Sequence, residues 1–554
     1  MLAWTIYISF IGAAILMLRP RASARTSRIV ALVASIATLA LVILATIRFT
    51  PGSLLTVTKI PWIPSLGIEY HLAVDGISLV VLLLTGIVGV AGVLFSWNVE
   101  KRPAEFFAFY LVLIGAVYGV FLSFDLFLFF VFYELAIIPK YFLIAIWGST
   151  RREYAAMKLA LYSFAGSAMV LIGIIATLVE TGGKTLNLVE LARYPFPLHF
   201  EMWVFPLVFV GFAILAGMWP FHTWAPTGHV AAPTAASMLL AGVIMKLGAY
   251  GCLRVAMMLF PAGMGAWSFH VLGLSSWRNL FAVLALIGIV YGASVALVQR
   301  DFKFVIGYSS VSHMGFVLLG LMTLTQTGLG GAVVQMFSHA VIASLLFAVV
   351  GRMVYDRTHT RFLNELAPMR LAHAIPFAAF TFVIAAMASI GLPGFSGFIA
   401  EFEIIIGTWH AWPVLAVLAA VGILVGIGFT WRAMDKAFFG GGAAAEPQPA
   451  GEHPSLPPNG GTTVAGTETS AFPPNGGTTV AGTETSALPP NGGTTVAGTE
   501  TSALPPITIP EKIAALILIA STVVVGVYPR LLLDLIIPAL NSPLFDGLRK
   551  GAWR

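Results

Sequence analysis

Long apolar runs separated by short polar segments form the dominant pattern of this sequence. A run of roughly 18–25 residues is long enough to cross a lipid bilayer as an α-helix, and about fourteen runs meet that criterion. We therefore predict an all-α polytopic membrane protein. The predicted transmembrane helices lie near residues 2–18, 28–48, 76–97, 106–122, 124–147, 156–179, 203–221, 233–258, 279–298, 304–325, 331–354, 374–407, 412–434 and 511–534.

Two of the predicted helices contain breaks. The run at 374–407 is too long for one straight span, and Gly-Leu-Pro-Gly at 391–394 makes it one broken helix. A Gly-Met-Trp-Pro-Phe-His stretch occupies 217–222. Proline removes a backbone donor, and unwound backbone at membrane depth is tolerated only where it is buried in protein or lines a wet cavity. Because the breaks fall in the seventh and twelfth predicted helices, we predict two inverted five-helix repeats, helices 4–8 and 9–13.

A polar insert interrupts this pattern near the C-terminus. The unit Leu/Phe-Pro-Pro-Asn-Gly-Gly-Thr-Thr-Val-Ala-Gly-Thr-Glu-Thr-Ser-Ala runs three times, at 456–471, 472–487 and 488–503. Each unit has almost no apolar face to stack, so we predict a disordered cytoplasmic loop rather than a solenoid, with a functional repeat array as the alternative. The predicted regions are 1–105 (helices 1–3), 106–260 (first repeat), 278–436 (second repeat), 437–510 (insert) and 511–554 (helix 14 and tail).

Composition excludes several classes of protein. Hydrophobic residues make up 58% of the 554 residues and charged residues 10%, against a usual ~25%, which excludes a water-soluble enzyme. The single cysteine, Cys252, excludes a disulfide scaffold. The net charge of +6 is small and lies in loops that face the membrane surface, so no nucleic-acid partner is expected.

The basic residues alternate between loops. They concentrate in the odd-numbered connections, for example Arg19 to Arg28 in the first, Arg151 and Arg152 in the fifth and Arg352 to Arg370 in the eleventh. The positive-inside rule places these loops in the cytoplasm. We therefore predict a multi-pass protein of the bacterial inner membrane with both termini on the periplasmic side, which requires an even number of helices.

Ionisable residues inside the apolar runs are the candidates for function, because each costs about 2.5–3.5 kcal/mol to insert. Glu134, Lys246 and Glu401 lie within predicted helices. Carboxylates, lysines and histidines in a membrane interior suit proton relay, whereas buried ion pairs that only fix packing are the alternative. For six further candidates, a purely structural role is a stronger alternative than it is for Glu134, Lys246 and Glu401. They are His222, His229, His313, His339, Glu403 and Asp125. No Rossmann, Walker or cysteine-cluster motif is present, so we expect no redox chemistry or ATP hydrolysis on this chain.

Several motifs together resemble one family. They are Phe-Tyr-Glu-Leu at 132–135, Pro-Lys-Tyr-Phe-Leu-Ile-Ala-Ile-Trp-Gly at 139–148, Arg-Arg-Glu-Tyr-Ala-Ala-Met-Lys at 151–158, Pro-Phe-His-Thr-Trp at 220–224, the stretch from His229 to Tyr250, Tyr-Ser-Ser-Val-Ser-His-Met-Gly-Phe at 308–316, and Ala-Ser-Ile-Gly-Leu-Pro-Gly-Phe-Ser-Gly-Phe at 388–398 with Glu401. The chain resembles the proton-translocating NADH-quinone oxidoreductase subunit M, the chain 4 type, of the antiporter-like group. The resemblance covers nearly everything outside 437–510.

The resemblance implies fourteen helices, two inverted repeats and one proton path. Glu134, Lys246 and Glu401 match the family's proton-path residues, and His339 matches a histidine on its central hydrophilic axis. It implies no cofactor on this chain, since NADH, FMN, iron–sulfur clusters and quinone belong to partner subunits. The implied partners are the lipid bilayer and the antiporter-like L-type and N-type subunits of the membrane arm.

The sequence departs from this family in two places. The family's helix 7 lysine is replaced by Leu215, and Leu-Pro-Asp-Ala-His is replaced by Ala-Pro-Thr-Gly-His at 225–229. Lys140, six residues after Glu134, is a candidate replacement for the missing charge. Six residues correspond to 240° around an ideal helix, so the two side chains need a distortion of the helix or a curled side chain to meet. The alternative is that Lys140 extends to a membrane interface.

Three functions fit these observations. The first is a proton-translocating subunit of a respiratory NADH-quinone oxidoreductase. The second is a subunit of a multisubunit cation/proton antiporter or a membrane-bound hydrogenase, which share the fold. The third is a non-pumping structural paralogue, which the Leu215 replacement keeps open.

Overall fold

The computed structural model describes residues 1–265, 275–440 and 504–552, and this part of the chain is mostly α-helical. The predicted class of helical membrane protein is confirmed. The three 16-residue repeats lie outside the described residues. On either side of them, a helical segment continues to Phe439 and the next helix begins at Ile509.

The first part of the chain forms long helices, with one β-hairpin between the second and third. The elements are α1 (Ala3–Met17), α2 (Ala24–Arg48), β1 (Leu55–Ile63), β2 (Ile68–Val74), α3 (Gly76–Phe95), α4 (Pro103–Leu122), α5 (Leu126–Leu135), α6 (Ile137–Trp147), α7 (Arg152–Glu180), α8 (Leu188–Leu191), α9 (Leu198–Ala216), α10 (Trp224–Ala231), α11 (Thr234–Leu239) and α12 (Met245–Gly251). Two π-helical segments, Leu240–Ile244 and Cys252–Met257, make α11 and α12 parts of one continuous helix.

The second part continues in the same manner. Its elements are α13 (Trp277–Val298), α14 (Phe302–Thr323), α15 (Gln326–Ala348), α16 (Asp356–Thr358), α17 (Leu363–Leu366), α18 (Leu371–Ala374), α19 (Pro376–Ser389), α20 (Ser396–Ala411), α21 (Pro413–Met434), α22 (Ile509–Val527), α23 (Arg530–Leu540) and α24 (Asp546–Ala552). A π-helical segment, Val349–Tyr355, joins α15 to α16.

Twelve helices in the described part are long and apolar enough to span a membrane, or 13 if one bent pair counts as a span. The predicted span at 2–18 corresponds to the shorter α1, and the predicted span at 374–407 corresponds to α19 and α20 with a break at 390–395. The count of fourteen and the inverted repeats stay predictions.

The end of the predicted last span was wrong. That span was expected to reach residue 534, but α22 ends at Val527 and Pro529 lies before the next helix. The following α23 is amphipathic, because Leu532, Leu535 and Ile536 are buried whereas Arg530 is exposed. A proline that lacks an amide proton cannot continue the hydrogen-bond ladder, which explains the early end.

The helices differ strongly in burial. Every residue is buried in the 18-residue apolar stretch of the continuous helix 234–257 and in that of the helix Gln326–Thr358, whereas only 28% of the residues are buried in the corresponding stretches of α2 and of the span that contains α21. In a bilayer, exposed apolar surface faces lipid. The central helices are therefore shielded from lipid by the rest of the bundle, and they carry Lys246 and His339.

A hairpin that the sequence analysis missed closes one end of the bundle. Strands β1 and β2 pair antiparallel, and Gly67 takes a left-handed conformation at the turn (φ 61°). Asp125 joins this hairpin to α5: its Oδ1 accepts from the amides of Phe127 and Leu128, and its Oδ2 accepts from the amide of Glu69. Asp125 is therefore a helix cap at the end of the bundle.

Buried ion pairs hold the start of α22, the first helix after the insert. The Glu511 carboxyl, 1% exposed, pairs with Arg357 at 2.8 Å and Arg352 at 2.5 Å. Arg357 also donates to the carbonyls of Pro505 and Pro506. The pairs therefore attach the start of α22 to the end of the helix Gln326–Thr358.

Replacing Glu511 with glutamine tests this attachment. Glutamine still accepts the amide of Thr508 in the capping box but leaves two arginines without their shared acid. Loss of one partner of a buried pair costs roughly 3 kcal/mol, so we expect a clear fall in the unfolding temperature in detergent. The control is Glu105→Gln, which removes the exposed pair with Arg102 and should change little. Equal effects of the two variants would contradict the attachment.

The hairpin junction has a predictable pH dependence. Burial raises the pKa of Asp125 from 3.8 to about 6, so the folded junction binds a proton more tightly than the unfolded chain. Its contribution to the free energy of unfolding should therefore increase as the pH falls from above 6 towards 4. Burial lowers the pKa of nearby His71, which acts with the opposite sign. His71 is present in both wild type and Asp125→Asn, so the difference between these two proteins isolates the contribution of Asp125 to the pH dependence.

The measurement is hydrogen exchange at the amides of Phe127 and Leu128 as a function of pH, corrected for intrinsic rates. We expect the protection of wild type, relative to Asp125→Asn, to rise as the pH falls through 6. A constant difference between the two proteins would rule out titration of Asp125 in this range.

Candidate functional site

Lys246 occupies the centre of the buried helix 234–257 and is 0% exposed. The preceding segment, Leu240–Ile244, has π-helical bonding, which widens the helix one turn before the lysine. The Nζ of Lys246 donates to the carbonyl oxygen of Ala241, five residues earlier. Single π-helical turns within α-helices occur frequently at functional sites, and here the wide turn frees a backbone acceptor for the ammonium.

The second partner of Lys246 is a histidine on α15. Its Nζ lies 2.8 Å from Nδ1 of His339, which is 3% exposed. When the lysine is charged, this nitrogen of the imidazole acts as the acceptor. Among the described residues, Nε2 of the same ring has no hydrogen-bond partner. The ring centroids of His339 and His313 lie 5.4 Å apart.

His313 on α14 continues the chain of polar groups to Glu401 on α20. Its Nδ1 lies 3.0 Å from Oε1 of Glu401, and its Nε2 lies 3.2 Å from Oγ of Ser389. Gln335 donates from Nε2 to the same Glu401 oxygen at 3.3 Å. A small cavity is lined by His313, Gln335, His339 and Glu401. The structure thus brings together four predicted candidates: Lys246, His339, His313 and Glu401, hereafter the Lys246 cluster.

The break before α20 positions the carboxyl end of this cluster. Gly391 has a left-handed conformation (φ 73°) and ends α19, and a Cβ built on it would lie 3.2 Å from Oε2 of Glu401. A larger residue at 391 would therefore be strained and would crowd the carboxylate. The unwound segment brings α20 close to α14 and α15, where Glu401 contacts His313 and Gln335.

Glu134 and Lys140 lie in a separate place. Lys140 is 2% exposed and donates from Nζ to Oγ of Ser163 at 3.0 Å. Oε1 of Glu134 is buried and has no hydrogen-bond partner in the described part of the chain. The helix is interrupted between them, because α5 ends at Leu135 and α6 begins at Ile137, but in the described part of the chain the two side chains form no ion pair within 4.0 Å. Leu215 on α9 is 2% exposed.

Other candidates do not join the Lys246 cluster by hydrogen bonds in the described residues. Neither ring nitrogen of His222 or His229 has a hydrogen-bond partner there, and their rings pack on Tyr291 and Phe347 respectively. Oε2 of Glu403 also has no hydrogen-bond partner.

Two members of the site, Gln335 and Ser389, were not predicted from the sequence. Gln335 had a signal, because it precedes His339 by four residues and therefore shares its helix face. Ser389 had none, since its role depends on how α19 packs against α14. Within the described residues, no group of three or more His, Cys, Asp or Glu side chains is placed to hold a metal ion.

The fold and site define a multi-pass helical membrane protein with a buried chain of ionisable side chains. Residues 123–428 match the family described as NADH:quinone oxidoreductase/Mrp antiporter, membrane region, and the chain belongs to this family.

Relatives include NAD(P)H-quinone oxidoreductase chain 4 3 of Picosynechococcus, 41% identical over 66% of this chain and 65% of that protein. NADH-quinone oxidoreductase subunit M of Pseudomonas aeruginosa is 37% identical over 80% of this chain and 89% of that protein.

Solved structures share the fold at lower identity. A chain of respiratory complex I from Thermus thermophilus matches with a TM-score of 0.79 and 24% identity, over 100% of both chains. A chain of the Mrp complex from Dietzia matches with a TM-score of 0.76 and 22% identity, over 100% of this chain and 99% of that one.

The contacts of Lys246 predict that replacing this lysine with an apolar residue does not destabilise the protein. The described residues place no carboxylate within 4.0 Å of its Nζ, so the folded state bears much of the cost of burying it. We expect Lys246→Met to leave the free energy of unfolding unchanged or to raise it by about 1–2 kcal/mol. The measurement is thermal unfolding in detergent, with the exposed Lys101→Met as control. A large destabilisation would show that Lys246 holds the helices together.

Proposed function

We propose that this chain is a proton-translocating membrane-arm subunit of a respiratory NADH-quinone oxidoreductase in a bacterial inner membrane. NADH oxidation and quinone reduction take place on partner subunits, which hold the FMN, iron–sulfur clusters and quinone. The neighbours of this chain are antiporter-like subunits of the L and N types, and both termini lie on the periplasmic side. The names of the relatives, NADH-quinone oxidoreductase subunit M and chain 4, support this assignment.

The observation that carries the proposal is the Lys246 cluster. It extends across four helices, from Lys246 through His339 and His313 to Glu401, in a part of the bundle that is shielded from lipid. Every member is ionisable and can hold or release a proton. Ionisable side chains in membrane segments mark ion pathways and proton relays. Purely structural contacts between these helices would be made more cheaply by apolar side chains.

The geometry defines the direct steps of a relay. A proton moves from Nζ of Lys246 to Nδ1 of His339 along the 2.8 Å contact, which leaves a neutral amine and an imidazolium. The imidazolium then releases a proton from Nε2, which has no hydrogen-bond partner among the described residues, and a water in the small cavity lined by both histidines would carry it to Nε2 of His313. Nδ1 of His313 then delivers a proton to Oε1 of Glu401 over 3.0 Å. Gln335 and Ser389 orient the last pair.

A second candidate function has its own support. The matching family also includes Mrp antiporters, and the Mrp complex chain shares the fold with a TM-score of 0.76. A subunit of a multisubunit cation/proton antiporter, or of a membrane-bound hydrogenase, would use the same cluster. A non-pumping paralogue, suggested by Leu215, would not.

Proton uptake by the intact complex tests these functions. In proteoliposomes, we expect NADH-driven proton uptake per electron to fall in Lys246→Met and in Glu401→Gln, because each removes a station of the relay. The matched control is Lys101→Met at an exposed site. Wild-type uptake per electron in both variants would indicate the structural paralogue. Purification with other partners and uptake driven by a cation gradient instead of NADH would indicate the antiporter.

A further inference from the structure

A second pair of ionisable groups lies outside the Lys246 cluster, with Lys140 buried and Glu134 partly buried. Glu134 lies at the end of α5, Lys140 lies in α6, and Ala136 separates the two helices. Lys140 is 2% exposed and lies within the 22-residue span Leu126–Trp147. A lysine that extends to a membrane interface would keep its ammonium in contact with water. The burial of Lys140 therefore rules out that alternative for this side chain.

The two charges are close but are not in contact. They interact electrostatically, yet among the described residues no carboxylate oxygen lies within 4.0 Å of the Lys140 ammonium. Oε1 of Glu134 is buried without a hydrogen-bond partner in the same part of the chain. A buried pair that only fixes packing gains most from direct contact and complete hydrogen bonding, because each unsatisfied group costs free energy. This pair has neither.

Helix α7 supplies the groups between them. Nζ of Lys140 donates to Oγ of Ser163 at 3.0 Å, and Ser167 lies beside the carboxyl of Glu134. Ser163 and Ser167 are four residues apart and so share one face of α7, one turn from each other. Their order along α7 is the reverse of the order of Glu134 and Lys140, so each hydroxyl faces one charged group. Hydroxyls both donate and accept, which allows them to pass a proton on.

We propose that Lys140 and Glu134 form a second proton-exchanging station, connected through the hydroxyls of Ser163 and Ser167. The proposal rests on the function proposed above. A proton leaves Nζ of Lys140 for Oγ of Ser163 as the hydroxyl proton of Ser163 passes to a bridging water. The hydroxyl of Ser167, turned away from the carbonyl of Phe164, then gives its proton to the Glu134 carboxylate and accepts one from that water. The step converts an ammonium and a carboxylate into an amine and a carboxylic acid, so no net charge is created. With Leu215 buried and uncharged, Lys140 is the cation available to Glu134.

Three substitutions test the station in the intact complex. Lys140→Met removes the proton carrier, Lys140→Arg keeps a charge that does not deprotonate, and Ser163→Ala removes the first hydroxyl. We expect loss of proton uptake per electron in Lys140→Met and Lys140→Arg, and a smaller loss in Ser163→Ala. The unfolding temperature of Lys140→Met should equal or exceed that of wild type, because a poorly compensated buried charge is removed. Lys101→Met is the matched control.

Two results would overturn the proposal. Wild-type uptake in Lys140→Met, or full activity of Lys140→Arg beside an inactive Lys140→Met, would show that no proton leaves this lysine. If Lys140→Met fails to assemble, wild-type uptake in Ser163→Ala overturns the proposal instead. Lys246→Met distinguishes a failure of this proposal from a failure of the proposed function. Loss of proton uptake in Lys246→Met together with normal uptake in Lys140→Met refutes only the second station. Normal uptake in both variants refutes both.

Discussion

The cost of holding an ionisable side chain away from water is the constraint on which this structure depends. A charged side chain in the centre of a membrane helix costs about 2.5–3.5 kcal/mol, and an unsatisfied polar group adds to that cost. Lys246 is fully buried with a backbone carbonyl and an imidazole as its partners. The cost is limited because the residue lies on a helix that other helices shield from lipid. Burial of this kind is sustained where a function requires it.

The irregular parts of the helices provide space or hydrogen-bond partners for the buried ionisable side chains. The π-helical turn before Lys246 frees a carbonyl for its ammonium, and the unwound segment before α20 leaves room for the carboxylate of Glu401 beside Gly391. Lys140 follows the interruption at Ala136 by one turn and contacts Ser163 on α7. Lys246, Glu401 and Lys140 therefore each lie near a departure from ideal helical geometry, whereas His313 and His339 lie within regular stretches of α14 and α15. Rigid helices between these points hold the distances that proton transfer requires.

The sequence predicted the class of fold and the main charged residues because both depend on local pattern. Apolar runs identify spans, and Lys246 and Glu401 stand out within them. It did not predict the β-hairpin, since Pro61 lies within β1 and burial does not alternate regularly along either strand. It also could not show that His313 and Gln335 join Glu401, or that Lys140 meets Ser163, because these contacts depend on how separate helices pack. The end of α22 at Val527 was misjudged because apolar residues continue past Pro529 in an amphipathic helix.

The central claim is that the Lys246 cluster is one continuous path for protons. His313 is its middle link, since it alone contacts Glu401 on one side and faces the ring of His339 on the other among the described residues. The most direct test is proton uptake per electron by the intact complex in proteoliposomes with His313→Phe, against Ser389→Ala, which removes only an orienting hydroxyl. The account predicts a loss of uptake in His313→Phe and near-normal uptake in Ser389→Ala. Wild-type uptake per electron in His313→Phe would contradict it.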